Sequence, residues 1–114
     1  MQNYSGLDSC FISNKTIATL LSHHEIKFSS YLPGSNTSKS IRINKFFIKK
    51  IFNTNKADEV IIVTENTIAK LNTTTKEIVG GEENFEEDPD IRSIVYSEDG
   101  NVAIVGKFMI MVTN

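Results

Sequence analysis

The chain's 114 residues leave room for one small domain or part of a larger one, and 39% apolar with 23% charged residues is the composition of a globular chain. A net charge of −2 gives no overall attraction to nucleic acid or anionic membrane. No apolar run nears the ~20 residues of a membrane span, the start MQNYSGLDSC lacks the basic and apolar segments of a signal peptide, and the single Cys10 excludes an intrachain disulfide or cysteine-based zinc site. The chain therefore reads as cytosolic, with Cys10 a small strand residue.

In chain order, residues 9–13, 16–21, 25–31 and 38–43 read as four strands, with turns at Asn14-Lys15 and His23-His24 and a break at Pro33-Gly34-Ser35-Asn36. A second group follows. Residues 46–52 form a β-rich run, Asn53 to Lys56 a turn, 59–64 a buried-looking strand, Glu65-Asn66 a tight turn, 67–72 a strand and 77–79 a fourth. Phe47, Ile48 and Ile51 also fit a short amphipathic helix, but the repeat favours strand. Gly80-Gly81 is expected to end this group, and 82–90, EENFEEDPD, to be an exposed and mobile acidic loop. In 91–112, IRSIVYSEDGNVAIVGKFMIMV, three short antiparallel strands are expected, with a hairpin at Glu98-Asp99-Gly100, where Gly tolerates positive φ and Asp bonds its own turn backbone.

Placing Asp58 to Val63 on Gly100 to Val105 gives a period of about 42 residues, within the range of four-stranded propeller blades. Such a blade packs both sheet faces on its neighbours, so its middle strands are apolar throughout. The expected fold is all-β: a partial WD40-like β-propeller of nearly three four-stranded antiparallel blades, approximately 7–43, 45–80 and 90–114, the last incomplete. Rings need about four to eight blades, so a fragment of a larger protein is expected. A compact sandwich of the same strands is the alternative.

Residues 7–114 resemble the second WD40-type propeller of the coatomer alpha subunit, the coatomer WD-associated region. The resemblance rests on 58–78 (DEVIIVTENTIAKLNTTTKEI) and on 91–112, with Tyr96-Ser97-Glu98-Asp99 at the place of an aromatic, Ser, a variable residue and Asp. Val102-Ala103-Ile104-Val105-Gly106-Lys107 looks like the apolar strand ending in a small residue and Lys, and 11–27 like a blade with a short charged turn. The Gly-His and Trp-Asp marks of generic WD40 blades are missing from this chain. The resemblance implies a non-catalytic scaffold of the COPI vesicle coat in Golgi-to-endoplasmic-reticulum transport, cytoplasmic and peripheral at Golgi and vesicle membranes. Its implied partners are other coat subunits or the rest of its own propeller, with membrane contact through those partners and no nucleic acid or small-molecule substrate. The alternative is a propeller-type binding domain for peptide or regulatory proteins unrelated to coatomer.

No residue is expected to be catalytic, cofactor-binding or metal-binding. His23-His24-Glu25 clusters possible ligands, but adjacent strand residues point to opposite faces and no further ligand is recognisable. An exposed turn is expected there. Ser22 lies outside any nucleophile elbow. Glu82, Glu83, Glu86, Glu87, Asp88 and Asp90 lack the spacing of a calcium loop and read as solvated, or as a docking site for a basic partner. Lys39, Arg42, Lys45, Lys49 and Lys50 surround Phe46 and Phe47; such a cluster can bind single-stranded nucleic acid or form a membrane-facing or partner-facing patch, but both phenylalanines are expected to pack inward. Gly80-Gly81 reads as a turn, since no Lys-Ser/Thr or helix follows it.

Overall fold

The computed structural model describes residues 6–13, 16–30, 37–54, 56–88, 90–96, 102–106 and 109–112. Their regular structure is all strand: β1 (Asp8–Ser13), β2 (Thr16–Ser22), β3 (Glu25–Ser30), β4 (Ser38–Arg42), β5 (Lys50–Asn53), β6 (Glu59–Val63), β7 (Thr67–Asn72), β8 (Ile78–Asn84), β9 (Ser93–Tyr96), β10 (Val102–Val105) and β11 (Met109–Val112). They form three antiparallel meanders, β1-β2-β3-β4, β5-β6-β7-β8 and β9-β10-β11. The expected turn at 14–15, the break at 33–36 and the 98–100 hairpin lie outside the described residues.

Local chemistry fixes the turns of the second sheet. Thr64 Oγ1 accepts from the backbone N–H groups of Thr67 at 3.0 Å and Asn66 at 3.4 Å, closing the β6–β7 hairpin. Asn72 Oδ1 accepts from Thr74 N and Thr75 N, both at 2.9 Å, and starts the β7–β8 turn. That turn passes through Lys76 at φ 64°, a left-handed conformation uncommon outside glycine and asparagine.

Alternation decides which neighbour each residue meets. Along β6, Val60 and Ile62 join one core cluster with Ala18, Leu20 and Ile26 of the first sheet, whereas Ile61 and Val63 join another with Ile91, against which Ile94 packs. The register carries this across the second sheet: Leu71 opposes Val60 and Ala69 opposes Ile62 on the first side, Ile68 opposes Val63 and Lys70 opposes Ile61 on the second. The middle sheet is thus covered on both faces. A two-layer sandwich leaves each sheet one buried face, so three sheets in succession overturn the sandwich alternative. Full burial of Leu20, Ile26, Ile62 and Leu71 stabilises the stack by roughly 2 kcal/mol per side chain.

Two boundaries differ from expectation. The run 46–52 is neither one strand nor a helix: only Lys50–Asn53 forms the strand paired with β6, and 46–49 form a connector bonded to the first sheet through Ile48 N and to the second through Lys49 N. Gly80-Gly81 does not end the second sheet, because β8 continues to Asn84 and takes Glu82 and Glu83 into the ladder. Two register shifts, on either side of the Lys70–Gly80 pair, absorb extra residues of β8. Gly80 at φ 156° supplies the backbone freedom that such bulges use.

Candidate interaction surface at the seam of the first two sheets

In an antiparallel meander, the turn between the second and third strands and the exit of the fourth strand lie at the same end. The first sheet therefore presents His23-His24 beside the connector leaving β4, and the second presents Thr64–Asn66 beside the exit of β8. Backbone bonds join these parts. Ile48 N donates to His23 O at 2.8 Å, and Phe85 N donates to Asn66 O at 2.7 Å.

The two histidines form a reciprocal clamp. Ile43 N donates to His24 O at 2.7 Å while the His24 ring Nδ1 lies 3.3 Å from Ile43 O; Ile48 N donates to His23 O while the His23 ring Nδ1 lies 2.9 Å from Ile48 O. A carbonyl only accepts, so each Nδ1 carries the proton and donates. The connector is thus pinned at both ends to the β2–β3 turn, and Ile43 and Ile48 enter the core at 3% and 0% exposure. His23-His24 is half-buried rather than the exposed turn expected from sequence.

Pinning Ile48 inward and packing Phe46 against the core turns Phe47 outward, where 48% of its surface is exposed. Its ring stacks on His23 with centroids 3.8 Å apart and planes at 19°, and meets the His24 ring edge-on at 5.9 Å and 82°. The expectation that both phenylalanines pack inward holds for Phe46 only. Phe47, Thr64, Glu65 and Asn66 line an open depression of about 310 Å³. Sequence reasoning missed this feature; the signal was three apolar residues, Phe46, Phe47 and Ile48, in a connector that can bury two.

Four cations of the basic run go to separate partners, and the fifth, Lys39, lies exposed on β4. Lys45 pairs with Glu77 at 3.8 Å, Lys49 Nζ donates to Asp88 Oδ2 at 2.7 Å, Lys50 Nζ donates to Ile91 O at 3.0 Å, and Arg42 Nε donates to Asn44 Oδ1 at 2.9 Å. Asp88 raises the Lys49 pKa, chiefly through this hydrogen bond. Arg92 pairs with Asp90 at 3.1 Å. The acidic stretch is therefore tethered at Asp88 and Asp90, while Glu82 and Glu83 lie in β8; Glu86 and Glu87 remain exposed. Lys49, Lys50, Asp88, Asp90 and Ile91 also border a cleft of about 50 Å³ between the second and third sheets, too small for more than water.

Among the described residues, no group of three or more His, Cys, Asp or Glu is placed to hold a metal ion. Cys10 packs against the first cluster, and burial, aided by the nearby charge of Asp8, pushes its thiol up to about 12. Such a thiol is a poor nucleophile at neutral pH. Asp8 has a structural role, its carboxylate accepting from Ile51 N at 3.0 Å and joining β1 to β5 across the seam.

No protein-family model matches the chain, and no curated protein matches it in sequence. Two solved structures of Hsv2, a β-propeller protein of the yeast Kluyveromyces lactis, one of them with its complete loop 6CD, are similar to it. Each has a TM-score of 0.67 at 16% identity and covers 94% of this chain. This chain spans 37% of the length of either Hsv2 chain. The likeness shows the fold: three successive sheets of the β-propeller kind, each packed on the next.

Proposed function

We propose that this chain is a protein-interaction segment of a β-propeller, acting by binding rather than catalysis, and that it serves as a scaffold module of the COPI vesicle coat. The observation that supports the first part is the covering of the middle sheet on both faces, with Val60 and Ile62 turned to one neighbour and Ile61 and Val63 to the other. Repetition of such sheets builds a rigid body whose connecting turns are left for partners. The coat assignment rests on the resemblance of 58–78 and 91–112 to the second propeller of the coatomer alpha subunit. In this reading the three sheets are blades of one propeller domain, the remaining blades are supplied by the rest of the ring, and the location is cytoplasmic and peripheral at Golgi and COPI vesicle membranes. A propeller serving peptide or regulatory partners outside the coat is the second reading, favoured by the half-exposed Phe47 at the seam.

An affinity-tagged form of the protein that carries this chain tests the coat reading. Stoichiometric co-purification with coat subunits and Golgi staining are expected. A tagged protein that runs free of every coat subunit, with no Golgi enrichment, overturns the coat assignment and leaves the second reading.

A further inference from the structure

We propose that the depression at Phe47 receives an arginine side chain from an extended, basic segment of a partner protein; this rests on the reading of the chain as a protein-binding propeller segment. The first argument is shape. Phe47 is held by the stacked His23 ring at 3.8 Å and the edge-on His24 ring at 5.9 Å, and its chain neighbours Phe46 and Ile48 are anchored in the core, so its exposed surface is fixed before any partner arrives. Its depression, about 310 Å³ and bounded by Thr64, Glu65 and Asn66, is near the ~300 Å³ lower limit of ligand pockets. That is room for one long side chain.

The second argument is charge. At this end Lys45, Lys49 and Arg92 are paired with carboxylates, while Lys50 and Arg42 donate to the neutral Ile91 O and Asn44 Oδ1. On the β6–β7 turn and in the stretch that follows Phe85, Glu65, Glu86 and Glu87 are exposed and, among the described residues, enter no ion pair. The bond from Phe85 N to Asn66 O brings the start of the Glu86-Glu87 stretch beside the turn that carries Glu65. The surplus that faces outward is anionic. A guanidinium fits both features, since its plane lies against an aromatic ring while its forked donors meet a carboxylate. A lysine offers a point charge to the same groups, and a phosphate or anionic lipid is repelled.

The test is fluorescence anisotropy of the protein with a fluorescein-labelled octapeptide of glycine and serine carrying two arginines, against the same peptide with lysines or glutamates. The arginine peptide is expected to bind with an affinity that falls as salt rises, the lysine peptide roughly threefold more weakly, and the glutamate peptide not at all. Phe47→Leu should weaken binding about tenfold, and Glu65→Gln about threefold with a shallower salt dependence. Glu83→Gln, within β8, should leave binding unchanged. Should Phe47→Leu fail to fold, Glu65→Gln on its exposed turn decides. Parent affinity in Glu65→Gln, equal binding of the glutamate peptide, or binding of phosphatidylserine vesicles in place of the arginine peptide overturns the proposal. None of these results alters the propeller reading, which co-purification tests separately.

Discussion

The two seams of the molecule, one on either face of the second sheet, are held by different kinds of polar contact. At the first seam, the polar links are mostly side chains meeting backbone: the His23 and His24 rings on Ile48 and Ile43 carbonyls and Asp8 accepting from Ile51 N, with the exposed Lys45–Glu77 pair at 3.8 Å as the exception. At the second, they are lysine and arginine contacts to the β8–β9 stretch, and Lys70 lies within the seam at 8% exposure. The same strand, β6, supplies apolar side chains to both. The difference teaches that alternation along one strand positions both neighbours, whereas the polar trim determines how each seam responds to salt and pH. Exposed ion pairs are screened and individually weak; half-buried hydrogen bonds to carbonyls are not screened in that way.

The largest effects are expected from removing β6 side chains. Ile62→Ala, at a fully buried position of the first seam, should cost about 3–4 kcal/mol in denaturant unfolding. Ile61→Ala should cost about 2–3 kcal/mol, because partly buried Phe52, Phe85 and Ile94 around it have room to close the gap. Equal losses would break the comparison. Next, His23→Ala removes both the 2.9 Å bond to Ile48 O and the ring beneath Phe47, with an expected cost of about 1.5–2 kcal/mol. His24→Ala, whose bond is 3.3 Å, should cost about 1 kcal/mol or less. A larger loss at His24 than at His23 would show that the stack on Phe47 contributes nothing.

Alkaline pH sharpens the contrast further. The folded Cys10 thiol titrates at about 12 against an ordinary 9.0, so the unfolded chain releases this proton first. Its contribution to stability is fully present below pH 9 and is lost as pH rises through 12. Cys10→Ala should flatten that part of the stability profile, and Cys10 in the folded protein should resist thiol reagents at pH 7. The raised Lys49 pKa has the same sign: the pair with Asp88 stabilises below the ordinary lysine value of 10.5 and is lost above the raised one. The Lys49 and Asp88 side chains are 39% and 47% exposed, so Asp88→Asn should cost well under about 1 kcal/mol at pH 7, and less in high salt.

Most of the strand order was legible in the sequence because β-branched alternation and turn residues are local signals. Thr16, Glu25, Glu59 and Thr67 begin strands as expected, and Val60 to Val63 reads as a strand buried on both faces. What failed was set by distant contacts. Residues 46–49 have strand composition, yet their backbone is taken by His23 and by Val63, whose carbonyl accepts from Lys49 N at 2.7 Å. Glycine at 80 and 81 signals a turn or a bulge equally well, and only pairing with Lys70 selects the bulge. In the candidate surface, the acidic and basic residues were visible in sequence, but their pairing was not. Nor could sequence show that His23 would hold Phe47 outward, because the two lie on different elements and meet only when the connector folds back.

Amide hydrogen exchange along β6 tests the central claim, a middle sheet enclosed between two neighbours, most directly. Val60, Ile61, Ile62 and Val63 are expected to exchange slowest together with Ile68 to Leu71, and far more slowly than the exposed edge at Ser38, Lys39 and Ser40. Exchange at 60–63 as fast as at 38–40 would contradict a sheet covered on both faces.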